Sequence, residues 1–141
     1  MTDCIFCKII NRELPASIIH EDDHVIAFMD IQPVNPGHIL VVPKIHKELI
    51  AELDTDLTSR MFNIAAKINL AIRKSPIQSE GINYFLADGE AAGQEVFHTH
   101  LHIFPRFRHD GFGLKFHESY TQLPKREELD EICGNIKLSM E

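Results

Sequence analysis

No apolar run in the chain approaches the roughly 18 residues a membrane-spanning helix needs, which argues against a membrane protein. The opening residues, Met-Thr-Asp-Cys-Ile-Phe-Cys-Lys, lack a basic stretch followed by an apolar one, so no secretory leader is expected. Cysteine is scarce: Cys4, Cys7 and Cys133 are an odd, sparse set, unlike the framework of a secreted disulfide protein. A cytoplasmic location is therefore expected. Basic residues are also short, 14 against 21 acidic ones, for a formal net charge of −7 and a pI near 5.7. That balance leaves no broad basic surface for nucleic acid, although a pocket that is locally positive could still take a small anion. Internal repeats, low-complexity tracts and Gly/Ser/Pro-rich linkers are missing too. With 141 residues, 44% of them hydrophobic, the chain suits one domain with its own core. The expected core spans about 4–107, with 108–141 as an extension carrying a helix.

Ile5, Phe6, Ile9 and Ile10 fall at near-helical spacing and predict a short helix over 4–11, closed by Pro15. Segments 17–21 and 25–30 read as two strands joined by the turn Asp22-Asp23-His24. After a Pro/Asn/Gly loop, 38–43 carries the continuous apolar run Ile39-Leu40-Val41-Val42, which suits a buried central strand. Met61, Ile64, Ala65, Ile68, Ala71 and Ile72 recur on one face of a long helix over 57–74, with Asp54 and Asp56 at its N-terminal end. A strand over 82–87, a loop over 88–93, a long strand over 96–107 and a helix over 125–138 complete the pattern. Pro105 falls late in the long strand, where an edge or a bulge would tolerate it. Cys133 is expected to pack in the terminal helix. Helices mixed with antiparallel hairpins imply an α+β fold: an antiparallel sheet with a long central helix and a C-terminal helix.

What the chain does have is histidine, nine in all, three of them alternating as His98-Thr99-His100-Leu101-His102. In a strand these imidazoles line one side, about 6.6 Å apart, while Thr99, Leu101 and Ile103 point to the other. That spacing is too wide for one metal, but it suits a nucleophile with helpers along an extended substrate such as a polyphosphate. A ring nitrogen is a good nucleophile toward phosphorus near neutral pH, provided the other nitrogen keeps its proton and finds an acceptor. A solvated or zinc-binding histidine face without catalysis is the plainer alternative.

The stretch His98-Thr99-His100-Leu101-His102-Ile103-Phe104 resembles the His-x-His-x-His-x-x signature, with hydrophobic x, of the histidine triad (HIT) family. Supporting matches include Ile5-Phe6-Cys7-Lys8-Ile9-Ile10, Ala27-Phe28-Met29-Asp30-Ile31, Gly37-His38, Val42-Pro43-Lys44-Ile45-His46 and Gly93-Gln94. Together they resemble the nucleotide-binding, protein kinase C interacting protein-like branch. The resemblance implies hydrolysis or transfer at the α-phosphate of a purine nucleotide or nucleotide conjugate, in a homodimer joined edge to edge. It implies His100 as nucleophile, His102 on the phosphate oxygens, His98 supporting His100 directly or through a metal, and Gln94 near the scissile bond. Main-chain amides around Glu95 and Val96 would cradle the phosphate, Asp30 would bind the ribose, and Ile5, Phe6, Ile9, Phe28 and Ile31 would line the base pocket. Those apolar residues read equally well as plain core.

Two departures stand out. Where the branch often has Asn, this chain has Leu86-Ala87-Asp88-Gly89, so Asp88 replaces or loses a ribose contact. Glu95 stands where Ser or Thr is usual, either as an acid or as a solvent-facing carboxylate. Cys4-x-x-Cys7 is half of a zinc site, and related proteins complete such a pair with two histidines, which here correspond to His46 and His98. The resemblance therefore implies a structural zinc ion on Cys4, Cys7, His46 and His98; two buried thiols are the alternative. Three activities remain open: an adenosine 5′-monophosphoramidase, a dinucleoside polyphosphate hydrolase, or a zinc-stabilised nucleotide-binding module whose work is interaction. The face of Met61, Ile64 and Ile68 reads as either a dimer interface or an internal core.

Overall fold

The computed structural model describes residues 3–140, which form two compact units, one ending at Gly111 and the other beginning at Phe112. The first unit contains helix α1 (Ile5–Ile10), strands β1 (Ile18–Glu21), β2 (Val25–Met29) and β3 (Ile39–Pro43), helix α2 (Thr55–Lys74), and strands β4 (Gly81–Phe85) and β5 (Leu101–Arg106). The strands make one antiparallel sheet in the order β1-β2-β3-β5-β4. The apolar run of β3 is central because it is buried along its whole length. In the β1–β2 turn the Asp22 carboxylate accepts from the amides of His24 and Val25, at 2.8 and 2.9 Å.

Alternation along the strands assigns the two faces of the sheet. Val25, Ala27, Ile39, Val41, Leu101 and Ile103 pack against Met61, Ile64, Ala65, Ile68 and Ile72 of α2. Ile26, Phe28, Leu40 and Val42 pack on the other face against Phe6 and Ile9 of α1. Met61, Ile64 and Ile68 are thus internal core, which removes them from any dimer interface. Ala71 is exposed: at 100° per residue it falls about 80° from Met61, at the margin of the buried stripe. Asp54 caps α2, its carboxylate accepting from the Leu57 amide at 2.8 Å.

One expectation about the histidine segment needs correction. The strand expected over 96–107 covers only Leu101–Arg106, so His98 and His100 precede it and only His102 lies within it. β5 pairs with β3 only from Leu101 to Ile103; before that the chain turns toward the loop after β3, where the Thr99 amide donates to the Lys47 carbonyl at 2.7 Å. Further back, the His98 side chain takes up the Pro43 carbonyl, at 2.7 Å, in place of a main-chain ladder bond. Pro105, late in β5 as expected, lies where the strand is paired with β4 alone and its other side is a local edge. Its neighbour Arg106 turns its carbonyl to Glu80 beside β4, so Pro105 faces the β3 side, just past the end of β3, where no amide is needed. The Pro105 carbonyl accepts from the Asn35 side chain instead, at 2.9 Å.

The second unit contains a 3-10 turn (Glu118–Thr121), whose Tyr120 stacks on the preceding Phe116 at 4.0 Å, and helix α3 (Arg126–Ser139). Leu129, Ile132 and Ile136 are exposed in the single chain, as is Cys133, which does not pack as expected. No helix among the described residues is long and apolar enough to cross a membrane.

Candidate active site

The three histidines diverge into different roles. His98 is fully buried, and its Nδ1 lies 3.4 Å from Cys4 Sγ, 3.6 Å from Cys7 Sγ and 3.2 Å from His46 Nδ1. Cys7 Sγ lies 3.4 Å from the same His46 nitrogen. Ligands arranged tetrahedrally around zinc stand about 3.6 Å apart for a sulfur–nitrogen pair and about 3.3 Å for two nitrogens. The four side chains therefore fit such an ion. The Nε2–H of His98 donates to the Pro43 carbonyl, which leaves Nδ1 free to ligate and is the usual outer hydrogen bond of a ligand histidine.

His100 turns its Nδ1 to the His98 carbonyl at 2.7 Å. A carbonyl only accepts, so the ring proton sits on Nδ1 and Nε2 carries the free lone pair. This is the geometry a histidine nucleophile requires. Phe6 meets the ring edge-on at 4.9 Å between centroids, and burial pushes the pKa of His100 below its ordinary value, keeping it neutral. The ring of His102 lies 4.8 Å from that of His100, closer than the spacing of a regular strand. Burial first, then the neighbouring His100 and His38, press its pKa down to about 4.

The remaining expected residues fall into two groups. Asp30 directly follows β2; one carboxylate oxygen accepts from the Gln32 amide at 2.8 Å and the other lies 3.5 Å from His38 Nε2. Phe6, Ile9 and Phe28 form one buried cluster, while Ile5 and Ile31 are exposed. Gln94 is buried with its amide fully engaged: Oε1 accepts from Gly89, and Nε2 donates to the carbonyls of Glu48 and Val96, at 2.8, 2.8 and 3.1 Å. Asp88 accepts from the Ile50 amide at 2.8 Å and thereby starts the short 3-10 turn there. Glu95 is exposed and Val96 half-buried.

Residues 11–109 match the HIT domain. The chain belongs to the HIT family. The crystal structure of a HIT family protein from Bacillus anthracis superposes on this HIT protein with a TM-score of 0.89 at 40% identity, covering 99% of this chain and 98% of that one. A structure described as a Zn-bound histidine triad family protein from Mycobacterium smegmatis gives 0.75 at 35% identity, over 90% and 87% of the two chains. Adenylylsulfatase HINT3 of Arabidopsis thaliana is 39% identical over 108 residues, 77% of this chain and 54% of its own length.

Sequence reasoning gave His38 no role beyond its place in the matched Gly37-His38. The structure packs it, tilted, against Phe104 and sets it beside His102, with ring centroids 5.0 and 5.1 Å away. The sheet register explains this: Leu40 faces His102, so a residue two positions before Leu40 meets His102 on the diagonal. Only the pairing of β3 with β5, invisible in a single sequence, discloses that contact.

Proposed function

We propose that this HIT protein hydrolyses purine nucleotide conjugates at the α-phosphate, as an adenosine 5′-monophosphoramidase does, through a covalent nucleotidyl-His100. The reading is carried by the bond from His100 Nδ1 to the His98 carbonyl, which aims a neutral, unprotonated Nε2 outward. In the first step the Nε2 lone pair forms a bond to the α-phosphorus, and the bond to the leaving nitrogen breaks. The amine departs with its electron pair and a proton from solvent. Water then attacks the same phosphorus, the phosphorus–nitrogen bond returns its electrons to the imidazole, and the nucleoside monophosphate leaves.

His102 donates to the phosphate oxygens as their charge grows. The half-buried carboxylate of Asp30 accepts from the ribose hydroxyls, and exposed Ile5 and Ile31 meet the purine. Amides at Glu95 and Val96 approach the phosphate, held by the braced Gln94. Asp88, fixed on Ile50, is on this reading a loop-ordering residue. Zinc on Cys4, Cys7, His46 and His98 supplies a structural cross-link between α1 and the histidine segment. It requires free thiols, consistent with a cytoplasmic protein. We further propose a homodimer joined through the open edge at β4, where Tyr84 and Phe85 are exposed.

Comparing wild type with His100→Asn on an adenosine phosphoramidate and on a diadenosine polyphosphate tests the reading. Wild type should release adenosine monophosphate faster from the phosphoramidate, and the variant should be slower by at least about 10³-fold while still binding nucleotide. Equal rates in both proteins would remove the assignment. Tight nucleotide binding without turnover would make the protein a binding module.

A further inference from the structure

His38 is buried immediately before β3, in a close-packed turn that requires glycine before it: a Cβ on Gly37, at φ +99°, would lie 2.9 Å from Pro105 and 3.0 Å from Ile77. Within that turn the Val34 amide lies 2.9 Å from His38 Nδ1. A peptide N–H can only donate, so Nδ1 is the lone-pair nitrogen and the neutral ring carries its proton on Nε2. His38 Nε2 lies 2.9 Å from His102 Nδ1. The donated proton makes that nitrogen an acceptor in turn, and His102 must then keep its own proton on Nε2. Asp30, 3.5 Å from His38 Nε2, stands too far to take the hydrogen bond but favours a donor turned toward it.

Asp30, His38 and His102 also lie close enough together to suggest a cation site. The separation of the two ring nitrogens, 2.9 Å, speaks against it: nitrogens sharing a zinc ion stand about 3.3 Å apart, whereas a hydrogen bond holds them near this distance. Burial pushes the pKa of His38 down despite the charge of Asp30, so the relay joins two neutral rings.

Building on the hydrolase reading above, we propose that His38 is a positioning residue which, through the Val34 amide, fixes His102 as an Nε2–H donor toward the phosphate. Surrender of the His102 Nε2 proton would leave an imidazolate, either on His102 or, if the His38 proton followed onto Nδ1, on His38, whose own Nδ1 faces only a peptide N–H. His102 therefore acts as a hydrogen-bond donor for developing charge and not as the acid that protonates the leaving group.

The test begins with the full-length wild-type protein, labelled with 15N in its histidine rings and examined by NMR at about pH 7.5. Both His38 and His102 should carry the proton on Nε2. A proton on Nδ1 of His102 would overturn the proposal, whatever the protein hydrolyses. Two variants of matched size follow: His38→Gln keeps a donor for His102, while His38→Glu offers only an acceptor and draws the His102 proton to Nδ1. On the adenosine phosphoramidate, Gln should hold kcat within about tenfold, and Glu should lower it by about 10²–10³-fold with little change in KM. Equal losses in both variants would reduce His38 to packing and overturn the relay. If wild type turns over no nucleotide conjugate, the hydrolase reading falls, while the ring assignment by NMR still decides the relay.

Discussion

Each histidine here takes its chemistry from what its second nitrogen touches. A carbonyl on Nδ1 leaves His100 a lone pair at Nε2, a carbonyl on Nε2 leaves His98 a lone pair at Nδ1, and a donor on Nδ1 leaves His102 a proton at Nε2. Burial keeps these rings neutral, and that has a cost in acid. His102 titrates near 4 when folded against an ordinary value of 6.5, so between those pH values the unfolded chain binds more protons. Its contribution to stability is complete above about pH 6.5, falls as the pH drops toward about 4, and is constant below that. Urea unfolding at about pH 7 and pH 5 should show a smaller drop in midpoint for His102→Gln than for wild type; an identical drop would contradict the assignment. Thr99, the one weakly hydrophobic position of the triad signature, is buried with its hydroxyl unpartnered among the described residues. Thr99→Val keeps the shape and removes that hydroxyl, so it should raise stability by about 1–3 kcal/mol in denaturant titration and leave turnover unchanged.

Among the elements, hydrophobic periodicity made α2 and β3 legible because burial on one face or on both writes itself directly into residue type. It misjudged β5. Alternation from Val96 onward looks like one long strand, but a strand needs a partner, and β3 accompanies it only from Leu101 to Ile103. No sequence pattern records that His98 leaves the ladder and takes the Pro43 carbonyl with its ring. Spacing alone marked Cys4 and Cys7 as half of a metal set, and the family resemblance supplied His46 and His98, whose meeting with the cysteines depends on two loops closing together. Because Cys4 stands at the N-cap of α1 and Cys7 lies within it, together with Phe6, which abuts His100, metal removal should loosen the helix and the ring together. A strong chelator should lower the thermal midpoint and raise amide exchange across Ile5–Ile10, and zinc should restore both. No change in either would remove the structural metal. Met61→Ala, at the centre of the α2 face, should cost about 2–5 kcal/mol in urea unfolding yet leave the activity of the folded fraction intact.

Taken whole, the chain sets the sheet between two apolar clusters and collects its reactive groups on the α1 face, with α2 serving the opposite face as core. The acidic composition directs expectation toward a small local site, and the candidate site is built from imidazoles, the Asp30 carboxylate, the Gln94 amide and main-chain groups. The proposed homodimer belongs to this scale: light scattering in dilute solution should give twice the mass of one chain, and a monomeric mass would contradict it. The central claim remains a bond between His100 Nε2 and phosphorus. Wild type mixed with an adenosine phosphoramidate labelled at phosphorus and quenched in alkali within milliseconds, where phosphorus–nitrogen bonds survive, should carry label on His100 in the peptide containing the triad. Hydrolysis at full rate with no trapped label, or label retained in His100→Asn, would contradict it.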